Sequence, residues 1–155
     1  ESPDSGTIHG LSDHRISAVF QEDRLLEGYT ALQNLRLVTG RQYTNTELAN
    51  ILLTLFPEDA LKKPICEFSG GMKRRTAILR ALLAPSSFLI MDEPFTGLDE
   101  RTRHLVIEYV KEKTSGRLLV VATHQEEDMQ ALGGILLCPF DIISPAIQTS
   151  PPGFC

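Results

Sequence analysis

Two acids close an apolar run in Phe88-Leu89-Ile90-Met91-Asp92-Glu93. At the end of a buried strand, Asp92 could hold a divalent cation and Glu93 could take a proton from an attacking water. A strand that simply ends in solvated acids reads the same way. Ser69-Gly70-Gly71 precedes a helical stretch. There the glycines let backbone approach a ligand closely, and the free N–H groups of a helix start favour an anion. The plainer reading is a serine N-cap with a flexible lead-in. Lys73, Arg74 and Arg75 follow in the first turn, where cations oppose the helix dipole and something negative nearby would offset the penalty. His124, after the apolar run Leu118–Ala122, could meet a phosphate or bond to backbone. Gln21, after Ile16–Phe20, could ligate a metal or orient a water, or stand idle at a strand end.

The elements that must position these groups follow from hydrophobic periodicity. Residues 1–15 are turn-rich, and Ile16–Phe20 predicts a short strand. From Thr30 to Pro64 the pattern is helical, with Leu32, Leu35 and Val38 on one face and Leu48, Ile51, Leu52 and Leu55 on another. A helix is predicted over Met72–Leu83 and a doubly covered strand over Phe88–Met91. Asp99 is the expected cap of a helix reaching Lys113, with Leu105, Val106, Tyr109 and Val110 inward. A strand over Leu118–Ala122, a short acidic helix and a strand over Ile135–Cys138 complete the series. Strands alternating with helices mean an α/β fold with a parallel sheet, whose carboxyl ends are where ligands bind.

Composition narrows the function classes. The chain has 155 residues, 42% hydrophobic and 23% charged, enough for a real core. A formal charge of −5 argues against non-specific nucleic-acid binding, which needs a basic surface. No apolar run approaches the roughly 18 residues that a membrane-spanning helix requires. Cys66, Cys138 and Cys155 are widely spaced, and His9, His14, His104 and His124 lack metal-ligand spacing, so neither a disulfide framework nor a zinc site is expected. The opening Glu-Ser-Pro-Asp-Ser-Gly has no features of a signal peptide and reads as the interior of a longer chain.

Four segments taken together are far more specific than any one. Phe68-Ser69-Gly70-Gly71-Met72-Lys73-Arg74-Arg75, Phe88-Leu89-Ile90-Met91-Asp92-Glu93-Pro94, Gly97-Leu98-Asp99 and Thr123-His124, in this order, resemble the ATP-binding cassette (ABC) transporter ATPase family. The resemblance covers residues 1 to about 140. Val19-Phe20-Gln21-Glu22-Asp23-Arg24-Leu25-Leu26 looks most like importers of the nitrate, sulfonate and taurine type.

The resemblance implies a P-loop NTPase-type parallel sheet with a helical subdomain. It places a partial ATPase domain over residues 1–143, the helical subdomain and signature helix within residues 27–84, and a loose Pro/Ser-rich tail over 144–155. It implies ATP and Mg2+ as cofactors. Asp92 would hold the metal as the Walker B acid, and Glu93 would be the general base. Gln21 would contact metal and water as the Q-loop, and His124 would contact the γ-phosphate. Ser69, Gly70, Gly71 and Met72 would form the signature that grips nucleotide held by an opposite subunit, with Asp99 at the dimer seam. The implied partners are a second ATPase subunit in a head-to-tail dimer and transmembrane permease subunits, one docking near Glu27–Pro64, at the cytoplasmic face of the plasma membrane.

The sequence departs from the family pattern in several places. Phe68 replaces the usual Leu, Met72 the usual Gln, and Gln125 an Asp found in many members. No G-x-x-x-x-G-K-[ST] occurs in the 155 residues, so this chain alone is expected to be inactive. By resemblance, the strand before that loop lies between Leu118–Ala122 and Ile135–Cys138, and without it parts of Leu118, Val120 and Leu136 are uncovered. Two alternatives follow. One is an inactive remnant that pairs with an intact ATPase. The other is an ATPase of DNA-repair type, disfavoured because only 48 positions separate Gln21 from Ser69, too few for a coiled-coil insertion.

Overall fold

Thr30 and Thr44 split the helical stretch into two helices. Each hydroxyl accepts from the backbone N–H three residues on, while Gln33 or Glu47 reaches back to the capping residue's own N–H. These reciprocal caps satisfy donors that a helix start leaves orphaned. They open α1 (Ala31–Thr39) and α2 (Asn45–Leu53), separated where Gly40 adopts φ 54°. Two 3-10 turns follow, at Glu58–Lys62 and Ile65–Glu67. The segment then returns to its origin: Ile65 N–H donates to Tyr29 O at 2.9 Å and Cys66 N–H to Glu27 O at 3.0 Å. The helical stretch is thus a closed excursion between β1 (Ile16–Val19) and α3 (Gly70–Leu83).

The computed structural model describes residues 14–135 and 137. The turn expected at Pro3–Ile8, the strand expected at Ile135–Cys138 (through Leu136 and Cys138) and the tail from residue 144 lie outside them. Among the described residues the sheet has three parallel strands in the order β1, β2 (Phe88–Asp92), β3 (Leu118–Ala122). Val19 pairs with Met91, Met91 with Val121, and Asp92 with Ala122, so the carboxyl ends lie side by side. Between these strands run α3 and α4 (Glu100–Lys113), and α5 (Glu126–Leu132) follows β3. This is the parallel α/β architecture expected from the sequence.

One sheet face is well covered. Val19, Leu89 and Met91 are buried and join Ile78, Leu79 and Leu82 of α3 and Val106, Ile107 and Val110 of α4 in a single core. The opposite face is open: Ile16, Ile90, Leu118 and Val120 are exposed. The expectation that Phe88–Met91 is covered on both faces therefore fails at Ile90, while the uncovered Leu118 and Val120 are as expected. Two further expectations are corrected. Helix α3 starts two residues before Met72, because Ser69 caps it with a bond from Met72 N–H at 3.3 Å. Leu105 is 54% exposed, and Ile107 takes the buried position instead. A stripe at helical spacing fixes the period, and the helix's rotation against α3 decides which edge of the stripe is inside.

Candidate functional site

Glu93, immediately after β2, has φ 45°, a left-handed conformation that costs energy for a side chain with a Cβ. The turn is held by its consequences. Glu93 N–H donates to Ala122 O on the neighbouring strand at 2.8 Å, and the side chain swings toward the chain after β3. There Glu93 Oε1 accepts from His124 N–H at 3.1 Å and lies 2.8 Å from His124 Nδ1. A carboxylate only accepts, so Nδ1 carries the proton in this contact. Thr96 Oγ1 donates to Glu93 Oε2 at 3.3 Å. Oε2 thus retains acceptor capacity for a water, and the exposed His124 ring presents Nε2 outward. Asp92 ends β2 with an exposed side chain.

Gln21 is exposed in the loop after β1, which has no regular structure of its own. Its backbone is gripped by α3. Arg74 donates to Phe20 O at 2.7 Å and Gln21 O at 2.6 Å, and lies 3.2 Å from the Asp23 carboxylate. Arg80 donates to Arg24 O at 2.9 Å and Asp23 O at 3.2 Å. Burial pushes the Asp23 carboxyl above its usual range, against the pull of Arg74 and nearby cations. Arg24 itself is left-handed, with φ 46°.

All three cations that open α3 have partners within the chain. Lys73 pairs with Glu27 at 2.9 Å, Arg74 holds the Gln21 loop, and Arg75 donates to Gly71 O at 3.1 Å and to Leu55 O while stacking on Phe56. Glu27 and Asp23 supply the negative charge expected beside them. Ser69 and Gly70 are exposed, and a Cβ at Gly70 would meet nothing within 4 Å. A Cβ at Gly71 would lie 3.5 Å from both Gly97 O and Leu98 Cδ2. The start of α3 therefore rests on the loop leading to Asp99, which caps α4 by accepting from Thr102 N–H at 3.0 Å. Bonds from Thr102 hold the Asp99 carboxyl below its usual range.

The sequence-predicted residues thus form two groups. Gln21, Asp92, Glu93 and His124 collect at the carboxyl ends of the three strands. Ser69, Gly70, Gly71, Met72 and Asp99 form a second group beside them. Among the described residues no hydrogen bond or ion pair joins the side chains of the two groups. Sequence reasoning missed Thr96, Arg80, Arg103 and Asp128. Arg103 on α4 pairs with Glu127 at 2.6 Å, lies 3.1 Å from Asp128, and donates to the Gln125 side chain. Asp128 is 1% exposed and accepts from Thr123 Oγ1 at 3.3 Å. Its burial, opposed chiefly by Arg103, raises its carboxyl above the usual range.

Known proteins resemble this chain in sequence and in fold. The family model described as ABC transporter matches residues 1–96. The Nod factor export ATP-binding protein I of Rhizobium etli is 36% identical over 129 residues, covering 79% of this chain and 40% of its own length. That of Paraburkholderia xenovorans is 34% identical over 149 residues, covering 84% and 48%. The chain spans less than half the length of these curated relatives. A solved ATP-binding cassette, dimeric in a post-hydrolysis state with ADP and Pi, superposes with a TM-score of 0.65 at 26% identity, covering 76% of this chain and 55% of its own.

Proposed function

Since the chain belongs to the ABC transporter family, we propose that it is part of an ATP-hydrolysing subunit that energises transport across a membrane. The observation that carries this reading is the Glu93 turn. An energetically costly backbone aims a carboxylate at His124 while Asp92 stays exposed beside it, separating one acid for proton transfer from one for metal.

In this reading Glu93 is the general base, receiving a water's proton on Oε2. His124, held by its Nδ1 proton, presents Nε2 to the transferring phosphoryl group. Asp92 and the Gln21 side chain would supply oxygen ligands from neighbouring strand ends, the hard donors that Mg2+ prefers. Among the described residues no three acids, histidines or cysteines cluster to hold an ion alone, so a cation would share its coordination with nucleotide phosphates and water. When bound, Mg2+ would neutralise charge developing on those phosphates. Ser69, Gly70, Gly71 and Met72 would face nucleotide on a second subunit, with Asp99 at the seam, so the exposed signature is lent to a partner. The closed excursion from Glu27 to Pro64 would meet a permease subunit, placing the protein peripherally at the cytoplasmic face of the plasma membrane. Residues 1–143 would act as the ATPase portion and 144–155 as a tail.

Direction of transport has two supports. The run Val19–Leu26 favours import, whereas the printed names of the relatives favour a second reading, export. Lacking a G-x-x-x-x-G-K-[ST] run, the 155 residues by themselves would not turn over ATP. The decisive test joins them to a P-loop segment of the family and measures MgATP binding and hydrolysis. Turnover is expected, and Glu93→Gln should retain binding while cutting turnover by about 100-fold or more. Absence of turnover in the joined protein would favour a remnant that only pairs with an intact ATPase. Near-normal turnover of the Gln variant would remove Glu93 from the chemistry.

A further inference from the structure

On the reading of His124 and Glu93 as working groups, His124 must be held in place. Residues Thr123–Gln125 have no helix or strand to fix them, being the link between β3 and α5. Gln125 O accepts the first-turn bonds of α5, from Asp128 N–H at 3.2 Å and Met129 N–H at 3.4 Å, and side-chain bonds reach the link from two further directions. From the turn after β2, the Glu93 carboxylate takes both the backbone N–H and the ring of His124. From α4, a single side chain reaches the other flank. Arg103 donates to the Gln125 side chain, pairs with Glu127, and stands against the buried Asp128 carboxylate. Asp128 in turn takes the Thr123 hydroxyl, and the Thr123 oxygen accepts from Gln125 N–H at 3.2 Å. Arg103 thus touches, directly or through Asp128, both residues flanking His124.

We propose that Arg103 and Asp128 are positioning residues for His124: they brace the Thr123–Gln125 link so that His124 Nδ1 stays on Glu93 and Nε2 stays outward. The chemistry of the pair supports this. The Arg103 Nε and Asp128 Oδ1 atoms are buried with no directed hydrogen bond, yet lie 3.1 Å apart, so each is the other's charge partner. Removing Arg103 leaves the Asp128 carboxylate buried without its cation, and removing the Asp128 charge leaves Arg103 held by Glu127 and Gln125 alone, so either change gives the link reason to rearrange. An arginine fork suits the task better than lysine, because one planar group meets Gln125, Glu127 and Asp128 at once.

The test reads the imidazole itself, in the full 155-residue chain, by nitrogen-15 NMR with labelled histidine. While the ring is neutral, its nitrogen shifts report which nitrogen carries the proton. In the native chain His124 is expected mainly as the Nδ1–H tautomer, imposed by Glu93; a histidine released into water prefers Nε2–H. Arg103→Ala should move the majority to Nε2–H. Asp128→Asn, which keeps the shape and removes the charge, should do the same and guards against a variant that fails to fold. Arg103→Lys should restore the native tautomer only in part. Retention of Nδ1–H in a folded Arg103→Ala or Asp128→Asn chain would overturn the proposal, as would Nε2–H in the native chain. ATP turnover does not enter the measurement, so its presence or absence speaks only to the proposed function.

Discussion

The grip of α3 on the Gln21 loop can be read through one peptide bond. Trypsin cleaves after Arg24, and to do so it must take the Arg24 carbonyl into its own site. In the structure that carbonyl is bonded to Arg80 at 2.9 Å, and the Asp23 carbonyl to the same guanidinium at 3.2 Å. Arg80→Met keeps most of the aliphatic stem and removes both donors. A bond from a charged donor contributes about 1.5–3 kcal/mol, and the longer second bond contributes less. Against this, Arg80 is partly desolvated, with burial lowering its pKa, so releasing the charge to solvent returns part of the gain. A net of about 2 kcal/mol favouring the open loop is expected, which is roughly a 30-fold larger open population. When opening and closing are fast relative to cleavage, proteolysis tracks that population. The assay is limited trypsinolysis, following the peptide ending at Arg24 by mass spectrometry. Lys73→Met is the control, because its pair with Glu27 is largely solvated and contributes under about 1 kcal/mol. Cleavage after Arg24 in Arg80→Met within threefold of the native rate, or matched by the Lys73 control, would refute the grip.

Two further outcomes follow from neighbouring features. Because a Cβ at Gly71 would make only ordinary contacts with Gly97 O and Leu98 Cδ2 at 3.5 Å, Gly71→Ala should fold normally and shift the unfolding midpoint little, whereas Gly71→Asp should block hydrolysis at a partner's site far more than nucleotide binding; equal loss of both would reduce Ser69-Gly70-Gly71 to a helix cap. Asp128 has its folded pKa raised above the ordinary 3.8, so the folded chain holds its proton longer and stability falls as pH rises from about 4 through the raised value. The advantage of the native chain over Asp128→Asn should therefore shrink between pH 4 and pH 7, as read from urea midpoints, and a constant difference across that range would contradict the raised value.

The elements that face chemistry were legible because their signals are local. An apolar run followed by Asp92-Glu93 is a strand end, and Asp99 before an amphipathic stretch is a cap. The two apolar faces between Thr30 and Pro64 correspond to two helices, while the equally local signal of their caps, a threonine followed three residues on by Gln33 or Glu47, was not used. Leu105 misled because Leu105, Val106, Tyr109, Val110 and Val106, Ile107, Val110 are both acceptable stripes, and only packing on α3 selects the second.

What sequence could not show is how the two unstructured site loops are held. Arg74 and Arg80 bind backbone carbonyls at residues 20, 21, 23 and 24, and carbonyls are common to every residue, so no pattern marks these as targets. Arg103 binds side chains more than twenty positions away, across β3. Each loop therefore takes its position from partners outside it: Gln21 from α3, and His124 from Glu93 and, as proposed, from Arg103 of α4. The helix that positions Gln21 is also capped by Ser69, so a rotation of α3 must carry Ser69-Gly70-Gly71 and the Gln21 backbone together unless Arg74 and Arg80 let go. The start of the same helix rests on Gly97 and Leu98, ahead of α4, so a shift there bears on the Asp99 cap as well. Contacts of α3 thus reach both groups of site residues, and severing the arginine bonds should free Gln21 while leaving Ser69 capped and in place.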